Sequence, residues 1–405
     1  MEEMKRISDW VKRELDSVTA FWLAHGMDPI HGGVYTCLDR EGKVFSTDKS
    51  VWMQGRCAWT FSRLCNLYGE RPEWREAAES CLAFLEDHCV NRDKGNRMYF
   101  TVTEDGRPLR QRRYNFSEGF YAMANAEFFI LSGREEHLNR ARDAYELIWN
   151  LNHALVEDPV GLGPKTILST RSGRALADPM IYLNLTSVLR RADPDKQALY
   201  DSRAAQCVAD IFTYHRKEDL RCTLESVGPN GEFEPWHTAG RMVNPGHVIE
   251  CAWFLMEEAN RLGDAALHER TRAMLLDALE AGWDRENGGL LYFVDVLGRP
   301  PEAYEHDMKL WWPHNELAIA SLMAWRDTGE PLYRDWFVKT IDYCQRHFAD
   351  PAFGEWYGYL RRDGQPTQPP CKGSTFKGPF HLPRMLMMLD GMLDGLLAKE
   401  EPGRA

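Results

Sequence analysis

Histidines and carboxylates collect where helices should begin. His247 and Glu250 lie three apart, on one helical face, just after Asn244-Pro245. His314 and Glu316 follow Pro313, and His381 precedes Pro383. Arg56 lies near the start of a helix that opens at Trp52, and Asn184 in the second turn after Pro179. Histidine is the side chain that moves protons near neutral pH, so two from different helices can serve as an acid–base pair. Clustered helix N-termini favour anions and disfavour imidazolium. They therefore suit neutral histidine and a bound oxyanion. Glu250 and Glu316 are also two carboxylates of the kind a glycoside hydrolase uses. Trp312 offers a ring face for a sugar, whereas Trp52, Trp253 and Trp311 read as core.

The elements that must position these groups repeat six times. Apolar helical patterns start near Trp52, Phe116, Pro179, Pro245, Pro313 and Pro383, in steps of 63 to 70 residues. In four of them proline is expected at the first helical position, with Asp178 and Asn244 as N-caps. A more polar helical pattern accompanies each one, as in Arg6–Ala24 and Glu73–Cys89. Short aromatic stretches with a glycine turn lie between them. They are Gly32–Lys43, Asn96–Pro108, Gly161–Gly173, Leu220–Phe233, Gly288–Pro300 and Gly354–Pro366, each read as a β-hairpin. Val248–Leu262 and Leu317–Trp325 are apolar around most of their circumference, as buried helices are. The predicted fold is all-α: an (α/α)6 toroid of six inner and six outer helices with short hairpins in the loops. Residues 1–400 read as one domain and 401–405 as a C-terminal tail. Parallel inner helices bring their N-termini, and the polar groups above, to one face.

Composition narrows the rest. The net charge is −12, with 44% apolar and 27% charged residues. That is ordinary for a globular protein, and it lacks the basic footprint of a nucleic-acid or anionic-membrane binder. No run reaches the roughly 18–20 apolar residues of a membrane helix. The charged N-terminus has no signal-peptide core, so the expected location is cytoplasmic. The ten cysteines form no C-x-x-C pair and read as reduced, mostly buried thiols. No H-E-x-x-H, P-loop, G-x-G-x-x-G or G-x-S-x-G is present, so no metal or redox cofactor is expected.

Five blocks carry a resemblance. They are VWMQGRCAWTFSR (Val51–Arg63), NPGHVIECAWFL (Asn244–Leu255), KLWWPHNELAIA (Lys309–Ala320), EWYGYLRRDG (Glu355–Gly364) and FKGPFHLPR (Phe376–Arg384). Together they resemble the N-acylglucosamine 2-epimerase family over nearly the whole chain, and its N-acyl branch more than its cellobiose branch. The resemblance implies the same (α/α)6 barrel. It matches His247 and His381 to the family's acid/base histidines. It matches Arg56, Glu250 and Glu316 to substrate-pocket positions, and Asn184 and Arg241 through weaker surrounding sequence. It also implies Trp312 at the sugar, a homodimer, and ATP as an activator that is not consumed. Asp178 and Tyr182 depart from the family's apolar run.

The expected reaction interconverts N-acetyl-D-glucosamine and N-acetyl-D-mannosamine through an enediolate. One histidine removes the C2 proton and the other returns a proton to the opposite face. His381 is the expected base for the gluco epimer, Arg56 stabilises charge on O1, and Glu250 orients His247. An aldose–ketose isomerase or a 2-epimerase of unsubstituted sugars is the alternative. A glycoside hydrolase using Glu250 and Glu316, or a non-catalytic binding protein, stands behind it.

Overall fold

The computed structural model describes residues 2–171 and 173–400, with Glu400 described by its backbone alone. The expected tail, 401–405, lies outside the described residues. Among these residues the chain forms twelve α-helices. They are α1 (Glu2–His25), α2 (Val51–Tyr68), α3 (Pro72–Phe84), α4 (Phe116–Ser132), α5 (Glu135–Asn152), α6 (Ala177–Ala192), α7 (Gln197–Asp210), α8 (Pro245–Leu262), α9 (Ala265–Gly282), α10 (Trp311–Thr328), α11 (Pro331–His347) and α12 (His381–Glu400).

The even-numbered helices form a closed inner ring. Each packs on the next, and α12 returns to α2. The outer helices α3, α5, α7, α9 and α11 each pack on the inner helix before them in the chain, while α1 packs on α12. The two ends of the chain thus complete one inner–outer pair. The sequence explains the layering. Helix α10 buries Trp311 to Ala324 without a break, as a helix covered on every side must. Helix α5 buries one stripe, His137, Leu138, Ala141, Ala144, Tyr145 and Ile148, spaced for one face. Where α2 crosses α4 the approach is too close for a side chain. A Cβ on Gly55 would lie 2.8 Å from the Phe120 carbonyl carbon and oxygen.

Two expectations change in detail. Helices α6, α10 and α12 begin two residues before their prolines, so Pro179, Pro313 and Pro383 fall inside the first turn, where a missing N–H still costs nothing. Asp178 is therefore a first-turn residue and not the N-cap. Asn244 does cap α8, its side chain accepting from the His247 N–H at 3.1 Å. The expected hairpin around Asp105-Gly106 forms, Thr101–Val102 pairing with Pro108–Arg110, but other loop strands pair farther away. Lys49–Ser50 pairs with Thr101–Val102, Met242–Val243 with Val294–Asp295, and Lys309–Leu310 with Tyr359–Leu360. Each pair ties the loop before one inner helix to the loop before the next. The expected turns at Asp105-Gly106, Asn230-Gly231 and Asp363-Gly364 do form, each with its glycine at positive φ. Gly161–Gly173 forms no strand among its described residues; it runs as an exposed excursion.

A buried ion pair recurs at three of these loops. Lys49 Nζ lies 2.6 Å from Asp28, Lys309 Nζ 2.8 Å from Asp284, and Lys372 Nζ 3.0 Å from Asp350. Each aspartate also accepts backbone N–H groups two or three residues on, at Ile30, Glu286 and Ala352. The loop is stapled at its base without any long strand. All ten cysteines are free thiols, nine of them buried.

Candidate active site

The inner helices enclose a cavity of about 530 Å³ at their N-terminal end. Every inner helix contributes to its wall: Arg56 from α2, Phe120 from α4, Asn184 from α6, His247 from α8, Trp312 from α10 and His381 from α12. The parallel ring does what the sequence pattern required of it.

His247 Nδ1 lies 3.0 Å from both carboxylate oxygens of Glu225. A carboxylate at Nδ1 holds a proton there and leaves Nε2 for the cavity. Burial works against the imidazolium, yet Glu225, with Glu250 and Glu316 behind it, raises the His247 pKa above its ordinary value. His381 is built the same way with the opposite result. Its Nδ1 lies 2.8 Å from Glu316 Oε1. Burial, then the Arg56 and Arg384 guanidiniums, hold its pKa well below the usual histidine range. The surroundings of His247 favour its protonated form, and those of His381 favour the neutral ring. Trp312 lies against both, its ring 5.0 Å from His247 and 5.8 Å from His381.

Arg384 organises the carboxylates. Its Nη2 donates to Glu250 Oε1 and to Glu316 Oε1, each at 2.7 Å, and Glu316 Oε2 accepts from Trp253 Nε1 at 2.7 Å. Ligand atoms of Glu250, Glu316 and His381 lie within 4.8 Å of one another. A guanidinium bridging the two carboxylates supplies the positive charge that a cation would bring. Arg56 is different. Its guanidinium lies over Phe120 at 4.1 Å and Phe380 at 4.8 Å, and its buried Nε has no hydrogen-bond partner. Burial, reinforced by Arg384, lowers its pKa to about 9. It remains a cation at neutral pH with a donor unspent.

Three readings of the sequence are corrected. Glu250 was expected to orient His247; Glu225 does so, and Glu250 holds Arg384. His314 faces the wall. Its Nδ1 lies 2.6 Å from the Leu310 carbonyl, its Nε2 accepts from the Leu290 N–H, and burial lowers its pKa to about 3. Arg241 does not line the cavity; it pairs with Asp295 at 2.7 Å and donates to the Pro235 carbonyl. Sequence reasoning missed Glu225, which lies on a loop with no periodic signal. It also passed over Arg384, although that residue sits three after His381 on the same helix face.

The ring and its cavity define an (α/α)6 barrel with two histidines, His247 and His381, lining one chamber. A family model described as N-acylglucosamine 2-epimerase matches residues 33–377. The chain is 39% identical to an N-acylglucosamine 2-epimerase of Mus musculus, over 99% of this chain and 96% of the relative. It is 37% identical to that of Homo sapiens, over 99% and 94%. A solved cellobiose 2-epimerase from Bacillus thermoamylovorans superposes with a TM-score of 0.83 at 18% identity, covering 96% of this chain and 99% of that one. The chain belongs to the N-acylglucosamine 2-epimerase family.

Proposed function

We propose that the protein interconverts N-acetyl-D-glucosamine and N-acetyl-D-mannosamine. The observation that carries this reading is the pair of histidines on one cavity, whose neighbours shift their pKa values in opposite directions.

The sugar reacts in its open form, because the C1 aldehyde acidifies the C2 proton. Neutral His381 Nε2 takes that proton, and the electron pair moves into an enediolate with negative charge on O1. The Arg56 guanidinium, in the cavity wall, meets that charge in a water-poor site, where such stabilisation is largest. His247, which acts in this step as the imidazolium, delivers its proton to the other face of C2. The pair ends with His381 protonated and His247 neutral, and proton exchange with solvent resets it. The reverse reaction starts from that second state. Glu316 steadies the His381 cation once it forms, and Glu225 steadies the His247 cation before it acts.

A hydrolase is less well served. Glu316 is committed to Trp253, His381 and Arg384, and Glu250 shares the same Arg384 nitrogen. Neither is a free proton donor. The homodimer and the unconsumed ATP activator expected from the family belong to the same proposal. So do the roles of Asn184, in the cavity wall, and of Trp312 beneath the sugar.

Proton NMR in D₂O tests the reading, with N-acetylglucosamine, N-acetylmannosamine, mannose and glucose, each with and without ATP. The expected result is the C2 epimer of the N-acetylated sugars, carrying deuterium at C2. Fructose from mannose would overturn it in favour of an aldose–ketose isomerase.

A further inference from the structure

The barrel has a second chamber. Beyond Phe380 and Arg384, toward the C-terminal ends of the inner helices, lies a separate cavity of about 400 Å³. That is within the roughly 300–1,000 Å³ range of small-molecule sites. Its inner wall is apolar, with Met323 of α10 and Met387, Met388 and Met392 of α12. Methionines of this kind adapt to an apolar guest. Trp59 also lines it, is 94% buried (6% exposed), and its indole Nε1 has no acceptor.

Cations ring the outer part. Arg63, Arg191, Arg326 and Lys399 all line the cavity. Arg63 and Arg191 share one carboxylate, that of Glu127, at 3.2 and 2.8 Å. Burial and then its neighbour Arg191 lower the Arg63 pKa. The two guanidiniums therefore repel each other, and a further anion would relieve them. Glu257 of α8 interacts through charge with Arg191, Arg384, Arg326 and Arg63. Burial raises its pKa against the pull of these guanidiniums. Asp327 holds Arg326 through Nε at 2.6 Å and leaves its other nitrogens free to turn inward.

The mouth is kept open at a cost. Gly391 and Gly395 line it one turn apart on α12, and a Cβ on either would meet nothing within 4 Å. No close packing requires glycine there, and glycine in a helix interior is less stable than alanine. Side chains at these positions would occupy space along the cavity lining.

We infer that this chamber binds a small amphipathic anion, its apolar body among the methionines and Trp59 and its carboxylate or phosphate head on the Arg63–Arg191–Arg326 ring. The inference stands apart from the sugar reaction, although Asn184, Met123, Phe380 and Arg384 line both cavities.

Isothermal titration of the full chain with decanoate and with decyl phosphate tests this, against decanol and decyltrimethylammonium as headgroup controls. The expected result is one site for the anions, at least tenfold weaker for decanol and absent for the cation. A preference between the two anions identifies the headgroup. Gly391→Trp, which fills the mouth, should abolish binding, and Arg326→Gln should weaken it about tenfold, the loss of one charge-assisted hydrogen bond. Both variants should keep sugar turnover, which shows that they are folded. Equal binding of the cation would overturn the inference. So would binding that survives Gly391→Trp, or that N-acetylmannosamine displaces competitively, since the amphiphile would then occupy the sugar cavity. No binding by either anion would overturn it as well.

Discussion

His247 and His381 differ because their neighbours differ. Glu225 meets His247 without a cation in contact, whereas Glu316 reaches His381 together with Arg384. The charge state is therefore set by the loop and by α12, not by the imidazoles. Two outcomes follow at this scale. Replacing Glu225 with Gln removes the main influence that raises the His247 pKa. In the gluco-to-manno direction His247 must be protonated, so kcat/KM falls as pH rises through its pKa. Glu225→Gln should move that alkaline limb to lower pH by roughly one unit or more, read from a pH–rate profile. A purely structural role would lower the rate without moving the limb. His381→Ala should lower kcat roughly 10²–10⁴-fold with the fold intact by circular dichroism. The histidines were legible in the sequence because each sits in a proline-marked first turn. His314 carried the same mark and misled. A first turn does not say whether a ring points to the cavity or to the wall, and the backbone carbonyl of Leu310 decided it.

The elements owe their placement to staples that the sequence pattern hid. Besides their local hairpin pairings, the loops are held by buried Lys–Asp pairs and by two-residue strands reaching into the next repeat. Such contacts join residues 21 and 25 apart in the chain (Lys49 to Asp28, Lys309 to Asp284), so no local period reveals them. Lys49→Met should cost about 3–5 kcal/mol, because it leaves Asp28 buried and unpaired. Lys309→Met should cost less, since Arg362 also reaches Asp284 at 3.2 Å. Urea melts of the two variants check the order. The same pairs set acid stability. Although burial opposes its charge, hydrogen bonds from Lys49 and the turn N–H groups lower the Asp28 pKa to about 2; Asp284 and Asp350 are likewise held below the usual carboxylate range. A depressed carboxylate adds stability above its unfolded pKa of about 3.9 and loses it as pH falls toward the folded value. Stability should therefore drop between about pH 4 and pH 2, and Lys49→Met should flatten part of that drop.

For the whole molecule, ring closure was the most legible feature. A 63-to-70-residue step repeated along the chain, with alternating apolar and polar helices, leaves few arrangements that bury the apolar set. What stayed hidden was which loop residue meets which helix, since Glu225 and His247 approach through the fold and not through spacing. Closure also depends on contact between helices. Gly55→Val should destabilise the protein by at least about 1–3 kcal/mol, the usual cost of overpacking, because the added side chain meets the Phe120 backbone. A lowered thermal midpoint measures it.

The account rests on two histidines working on opposite faces of C2, and deuterium wash-in by single-histidine variants tests that most directly. Each variant, incubated in D₂O with one pure epimer, cannot complete inversion, yet its remaining histidine can still remove and return a proton on its own face. With His247→Ala, deuterium should enter C2 of N-acetylglucosamine but not of N-acetylmannosamine, without epimerisation. With His381→Ala the pattern should reverse. Wash-in of both epimers by either variant, or epimerisation that survives the loss of one histidine, would contradict the two-histidine mechanism.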